Sequence, residues 1–192
     1  MARDYFKAIL LGLLLAGSVT APVSAVQAAS KSAAKVIKVS TLDGKFGFSL
    51  PEGYKAEELP AGNSENGTAG AKGTMYMHQQ QRRVVIVTQM PVPNGETATD
   101  NDDAFLAGAL AGFEQQQSAA LPDYKKLDEK SLTLKKLGVR QIDSSATMGG
   151  GRTLATTFVA ASGKQMALVQ VISRADDEKG HAAMVKRITG RK

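Results

Sequence analysis

The sequence predicts an α+β domain in which a mostly antiparallel sheet is covered by helices. Three observations predict this class. Alternating or β-branched runs occur in two groups of four, turn residues separate them, and an amphipathic segment follows each group. The connections between strands are short, whereas a parallel pair needs a long crossover. The predicted order is therefore ββββ–α–ββββ–α, a layered architecture with two covering helices.

The first two strands are predicted to form a hairpin. Residues 36–41 are rich in β-branched side chains, and Asp43-Gly44 is a hairpin turn signal. Residues 45–50 alternate between apolar and small or polar side chains. This alternation places three apolar residues on one face: Phe46, Phe48 and Leu50.

The next stretch contains two further strands between loops. Residues 55–73 are rich in Gly, Ala, Asn and Glu and are predicted to form a mobile loop. Residues 74–78 form a strand, and the unbroken run at 84–90 is typical of a central strand covered on both faces. A second loop is predicted over residues 91–101.

The first helix is predicted to begin at Asp102-Asp103, because acidic side chains stabilise the positive end of a helix. Five apolar residues follow at helical spacing: Phe105, Leu106, Ala109, Leu110 and Phe113. We interpret Gly108 and Gly112 as points of close approach between this helix and the sheet. Pro122 ends the helix.

Four strands in a meander and a short helix complete the domain. The strands are predicted over residues 125–134, 139–148, 152–160 and 164–172, and the helix runs from Asp176 to Ile188. One contiguous core is expected to contain Phe48, Ile86, Val87, Phe113, Leu168 and Val171.

Residues 1–28 are typical of a secretory signal peptide. A basic start precedes a short apolar run, and residues 23–25 and 26–28 both fit the small-residue cleavage rule. The run is too short for a membrane span, which needs about 20 residues. We expect cleavage, a flexible leader at 29–35, one domain over 36–192, and a periplasmic location without a transmembrane segment.

Composition limits the chemistry that the chain can perform. There is no cysteine among the 192 residues, which excludes disulfides, thiolate metal sites, cysteine nucleophiles and a lipid on an N-terminal cysteine. The net charge is +6, but charges of both signs are interspersed along the chain. A basic balance suits acidic partner surfaces, and it also serves solubility.

No sequence motif predicts a catalytic or metal site. His78 and His181 are isolated in sequence, so we predict two surface or boundary histidines rather than metal ligands. The acidic residues Asp100, Asp102 and Asp103 lack the glycine and glutamate of a calcium loop. No serine lies in a G-x-S-x-G elbow. We expect no cofactor and no requirement for zinc.

A basic hairpin is the candidate contact patch. Its members surround one predicted turn: Lys125, Lys126, Lys130, Lys135, Lys136 and Arg140. Lysines also protect edge strands from aggregation, and this is the competing interpretation. The chain has no tryptophan and few aromatic residues near the hairpin, so base stacking and nucleic-acid binding are not expected.

Four features of the sequence together resemble the DcrB family. They are the export signal, the opening "LDGKFGFSLP" at residues 42–51, the strand at 82–90 and the helix with Glu114-Gln-Gln-Gln117. Members are small bacterial envelope proteins linked to phage adsorption and envelope integrity. The resemblance covers most of residues 36–188 and implies a PsbP/Mog-like α/β/α sandwich without a catalytic motif. Well-known members resemble lipoproteins, whereas residues 23–29 contain no cysteine.

Two function classes follow from the sequence. The first is a non-enzymatic periplasmic protein that binds another envelope component, either a protein or a lipid-associated molecule, through its sheet surface or its loops. The alternative is a periplasmic hydrolase or metal-dependent enzyme whose site assembles only in three dimensions. An enzyme should gather titratable groups in a pocket, whereas a binding protein should expose an apolar patch or groove.

Overall fold

The structure is a computed structural model that describes residues 36–63 and 68–190. The predicted signal peptide and leader lie outside these residues. The elements in chain order are β1 Ile37–Thr41, β2 Phe46–Leu50, β3 Lys55–Glu58, β4 Lys72–His78, β5 Arg83–Pro91, α1 Asp103–Ala120, β6 Lys125–Leu134, β7 Leu137–Met148, β8 Gly151–Ser162, β9 Gln165–Arg174 and α2 Glu178–Thr189.

The strands form two antiparallel sheets. Seven strands make the main sheet in the order β3-β4-β5-β9-β8-β7-β6, and β1 pairs only with β2. The hairpin and α2 cover one face of the main sheet, and α1 covers the other at β7 and β8. The predicted α+β class with a sheet between helices is confirmed.

The apolar core is divided into two clusters, so the prediction of one contiguous core is wrong. Successive side chains of a strand point to opposite faces. Leu168 therefore packs with Phe113 of α1, whereas Val87 and Val171 pack with the hairpin and α2. The main sheet separates the two clusters.

Helix α1 begins as the sequence predicts. Asp102 caps it by accepting a hydrogen bond from the backbone N–H of Phe105 at 3.0 Å. The buried face consists of Leu106, Leu110, Phe113 and Gln117. The interpretation of Gly108 is wrong, because it lies on the exposed side, where an added Cβ would meet no atom within 4 Å.

The central run in β5 is confirmed, with Val85, Ile86 and Val87 buried. One strand was not predicted. Lys55–Glu58, inside the predicted loop at 55–73, pairs with β4 as the edge strand β3. All four of its side chains are exposed, so its sequence lacks the apolar alternation that identifies a strand.

Candidate functional site

A row of polar side chains crosses the α2-covered face of the main sheet from β4 to β6, with a step of two residues between β9 and β8, where Ser173 lies opposite Leu154. Strand register aligns its members: His78 is opposite Arg83, Thr156 is opposite Asp143, and Asp143 is opposite Asp128. Ser173 of β9 joins the row through Arg83. We call this row the polar belt, which consists of His78, Arg83, Ser173, Thr156, Asp143 and Asp128.

His181 of α2 inserts into the middle of the polar belt. Its Nε2 lies 2.9 Å from the Thr156 hydroxyl oxygen, and its Nδ1 lies 3.1 Å from the Ser173 hydroxyl oxygen. His181 is only 8% exposed as a residue, and Ser173 and Thr156 are each 1% exposed. Both ring nitrogens are therefore hydrogen-bonded in a site with almost no solvent.

The partners of the two hydroxyls determine which ring nitrogen carries the proton. Thr156 donates its hydroxyl to Asp143 at 2.6 Å, so its oxygen accepts from Nε2–H of His181. Ser173 accepts from Nε–H of Arg83 at 3.2 Å, which leaves its own hydroxyl hydrogen for Nδ1. The result is one directed chain of hydrogen bonds from Arg83 to Asp143 through a neutral imidazole.

The surroundings lower the pKa of His181. Burial is the largest cause, because desolvation disfavours the imidazolium. The positive charge of Arg83 acts in the same direction, whereas the carboxylates of Asp143 and Asp177 oppose it. The neutral form is the one that fits this site.

Arg83 lies at the start of the chain of hydrogen bonds and is itself buried. Besides Ser173, its guanidinium donates to Gln81 Oε1 at 2.8 Å and forms an ion pair with Asp177. Asp177 also caps α2 by accepting from the backbone N–H of Gly180 at 3.1 Å. A Cβ at Gly180 would collide with Arg83 and Asp177, so glycine allows the guanidinium to lie against the first turn of α2.

Both histidines are buried, so the prediction of surface or boundary positions is wrong. His78 packs its ring edge-to-face with Tyr54 at 5.2 Å between centroids and accepts from the backbone N–H of Gln81 at 3.3 Å. Burial raises the pKa of the Tyr54 hydroxyl, and nearby Arg83 opposes this. Gly53 has positive φ, and a Cβ there would strike the His78 ring.

A groove of about 350 Å³ lies beside His181, between α2 and strands β6 to β8. We call it the α2 groove. Its lining combines apolar and charged side chains: Leu127, Lys130, Asp143, Leu154, Thr156, His181, Ala182, Val185 and Lys186 are among its members. Leu127, at the bulge in β6, is 50% exposed, and Val36 is the only other exposed large apolar residue in the described part of the chain.

A second concavity lies at the Arg83 end of the polar belt. It measures about 670 Å³ and is lined by Arg82, Arg174, Asp176 and Asp177, among others. Its charges are of both signs, and none of the described residues that line it has a large apolar side chain. It therefore lacks the apolar floor that distinguishes the α2 groove.

The basic residues of the candidate contact patch divide between the two faces of the sheet. On the α1 face, a chain of ion pairs ties α1 to β6 and β7. It runs through Asp103, Arg140, Glu129, Lys126 and Glu114, with N–O distances from 2.6 to 3.4 Å. On the α2 face, Lys130 pairs with Asp128 at 2.9 Å and with Asp143 at 3.3 Å.

The three remaining lysines have no ion-pair partner among residues 36–63 and 68–190. Lys135 and Lys136 form the turn between β6 and β7, where both adopt positive φ, of 50° and 74°. Lys125 lies at the opposite end of β6, about 30 Å away at roughly 3.3 Å per residue. The patch as a contact surface stays a prediction.

Sequence patterns alone did not predict the polar belt or the α2 groove, although one signal for the belt was present. Thr156 lies between Leu154 and Phe158 in β8, and Ser173 follows Val171 in β9. Alternation predicts that these positions face the core, where a hydroxyl requires a hydrogen-bond partner. Polar residues at inward positions were the available clue.

Within residues 36–63 and 68–190, no three His, Asp or Glu side chains are grouped closely enough to hold a metal ion. Neither α1 nor α2, the helices of the described segments, is long and apolar enough to cross a membrane.

Comparisons with known proteins identify the fold. No protein-family model matches the chain, and a search of curated proteins finds no relative by sequence. The solution structure of cyanobacterial PsbP (CyanoP) from Synechocystis sp. PCC 6803 is similar, with a TM-score of 0.56 and 10% identity over 86% of this chain and 95% of that one.

Two weaker similarities are to crystal structures of bacterial proteins. PA94 from Pseudomonas aeruginosa, described as a putative regulator of unknown function, gives a TM-score of 0.45 and 10% identity over 79% of this chain and 91% of that one. LpqN from Mycobacterium tuberculosis, described as involved in cell envelope biogenesis, gives a TM-score of 0.47 and 12% identity over 83% of this chain and 90% of that one. The chain thus has a PsbP-like fold, in which an antiparallel sheet lies between helices.

Proposed function

We propose that this chain is an exported, non-enzymatic binding protein of the bacterial cell envelope, of the DcrB type, and that it holds an envelope component in the α2 groove. The observation that carries the proposal is the half-exposed Leu127 beside that groove. A large apolar side chain at a concave, partly apolar surface is typical of a contact site. The signal-like residues 1–28 support an extracytoplasmic location.

The contacts of the hydrogen-bond chain suit a structural role rather than catalysis. A serine–histidine pair is present, with Ser173 Oγ at 3.1 Å from His181 Nδ1. However, a nucleophile must reach its substrate, and Ser173 is 1% exposed. Its oxygen also accepts a hydrogen bond from Arg83, which fixes it in the network. These contacts suit a role in holding α2 on the sheet.

Site-specific photo-crosslinking in living cells tests the binding surface. A photoreactive residue at Leu127 should yield a defined adduct in the envelope fraction, whereas the same residue at Ala111, on the exposed side of α1, should not. Lys186→Glu, a charge reversal on the groove wall, should weaken the Leu127 adduct. Equal adducts at both positions, or none at Leu127, would refute the groove as the contact site.

The hydrolase alternative rests on the Ser173–His181 pair, and a reactive probe separates it. A fluorophosphonate probe, which labels activated serines, should leave the purified protein unlabelled. Labelling that disappears in Ser173→Ala and persists in Ser162→Ala, a control serine outside the network, would favour the hydrolase. Such a result would overturn the non-enzymatic proposal.

A further inference from the structure

Helix α2 is attached to the sheet by two kinds of contact. Its second half packs the apolar side chains Met184 and Ile188 into the cluster that contains the hairpin. Its first half is held by His181, through hydrogen bonds to Thr156 of β8 and Ser173 of β9. The imidazole is therefore a polar link between the start of α2 and the centre of the sheet, beside the ion pair that Asp177 forms with Arg83 of β5.

This link is complete only while the imidazole is neutral. A second ring proton would be placed on Nδ1, which accepts the Ser173 hydroxyl hydrogen. Ser173 Oγ would then face two N–H donors, from Arg83 and His181, and its own hydrogen would lose its acceptor. Because Ser173 is 1% exposed, water cannot replace that acceptor without movement of the helix.

The charges around His181 do not compensate for a buried imidazolium. From β5, Arg83 repels an imidazolium at His181. The one charged residue of β9 is Arg174, which is also positive. From β7, Asp143 attracts the imidazolium, but this carboxylate is shared with Gln141, Thr156 and Lys130. Other neighbouring charges are of both signs. Strand β8 contributes Arg152, which pairs with Asp123, and β2 has no charged residue. Helix α2 and its N-cap contribute Asp177, Glu178, Lys179, Lys186 and Arg187. Burial also keeps the pKa of His181 below its ordinary 6.5.

Movement of His181 would change the α2 groove, because the helix supplies one of its walls. Ala182 follows His181 directly, and Val185 lies one turn further along. Thr156, which accepts a hydrogen bond from His181 Nε2, and Asp143, which accepts one from Thr156, belong to the opposite wall of the groove. The hydrogen bonds of His181 and the α2 groove therefore share residues on both sides.

We propose that His181 is a proton-operated latch, which holds α2 closed on the sheet while neutral and releases the first half of the helix, and with it the wall of the α2 groove, when protonated. The regulatory part of this inference rests on the proposed function of the groove. The latch itself is a property of the chain alone.

Hydrogen exchange of the purified protein at pH 7.5 and pH 5.0 tests the latch without any ligand. After correction for intrinsic rates, the α2 amides should exchange faster at pH 5.0 than at pH 7.5, since a lower His181 pKa in the closed form means that protonation favours the open form. His181→Gln keeps a donor and an acceptor but cannot titrate, so its α2 should show no such change. His78→Gln, the matched control, should behave as the wild type.

An NMR titration of the wild type keeps the test decisive if His181→Gln fails to fold. The His181 ring should titrate below 6.5, in step with the loss of protection in α2. Protection that is independent of pH, or a response that persists in His181→Gln, would overturn the latch. If α2 responds to pH through His181 but Leu127 gives no adduct, only the proposed function of the groove is rejected. If Leu127 gives the adduct but α2 does not respond to pH, only the latch is rejected.

Discussion

Asp177 caps the first turn of α2 and also pairs with the buried guanidinium of Arg83. One carboxylate therefore both starts the helix and ties it to β5. Asp102 at α1 provides a natural comparison, because its side chain caps its helix and forms no ion pair within residues 36–63 and 68–190.

Replacing Asp177 by alanine should cost more than an ordinary cap. Loss of a cap costs about 1 kcal/mol, whereas leaving a buried charge without its partner costs about 3–5 kcal/mol. Because the Asp177 side chain is 36% exposed, solvent reduces the second value, and we expect about 3 kcal/mol in total. Urea unfolding of Asp177→Ala and Asp102→Ala measures the difference, and equal losses would mean that Asp177 acts only as a cap.

Two phenylalanines of α1 test the register of the helix. Phe113 is 4% exposed, so Phe113→Ala should lower the free energy of unfolding by about 3–5 kcal/mol. Phe105 is only partly buried against the same cluster, so Phe105→Ala should cost clearly less. Chemical denaturation of both variants provides the comparison. A Phe113 loss below about 1 kcal/mol would contradict the buried position.

Asp100 joins the hairpin to the main sheet and should titrate at unusually low pH. A hydrogen bond from Lys45 is the main reason that the pKa of Asp100 is lowered, and one from Ser162 adds to it. A carboxylate whose pKa is lower in the folded than in the unfolded state stabilises the fold above about pH 4. This stabilisation is lost as the pH falls through the pKa of the folded state. NMR titration should show that Lys45→Gln raises the Asp100 pKa, while Lys38→Gln, an exposed lysine of the same hairpin, leaves it unchanged.

The three lysines of the patch that have no ion-pair partner in the described part of the chain should give only weak attraction to anionic vesicles. Binding should fall as salt rises to about 0.5 M, because exposed charges are screened within about 10 Å above 0.1 M. Changing Lys125, Lys135 and Lys136 to glutamine should remove it and leave the melting temperature nearly unchanged. Lys126→Gln, which breaks ion pairs to Glu114 and Glu129, is the control that should not alter binding. Binding that survives high salt and the triple change would assign the contact to another surface.

Processing of the precursor should produce a mature chain that begins between residues 26 and 30. Small residues occupy the positions that signal peptidase reads before each possible cleavage point. Intact mass and N-terminal sequencing of the exported protein decide the position. A full-length form retained in the membrane would contradict cleavage.

Most strands and both helices could be predicted because apolar periodicity is a local property. The β5 run and the α1 face are examples, since each is visible within one segment. The edge strand β3 could not be predicted, because Lys55–Glu58 contributes backbone pairing and no buried side chain. Periodicity also assigns residues to faces without saying what covers each face, so the two clusters appeared as one.

The candidate site depends on long-range geometry, which limits what the sequence reveals. His181 meets Thr156, 25 residues away, only after β8 is aligned with β7 and α2 has docked. The histidine itself stands in an unremarkable helical context. The basic residues were visible as a group, but their partners Asp103 and Glu114 come from α1, and no local pattern pairs them.

The hairpin at the start of the domain and the helix at its end complete the same apolar cluster. Val39, Phe46 and Leu50 from the first segments pack with Met184 and Ile188 from the last. Contacts between such distant parts of the chain form slowly, since a long loop must close before they contribute. A growing chain therefore cannot close this core until the final helix has been synthesised. The arrangement delays completion of the fold until that helix can dock against the hairpin.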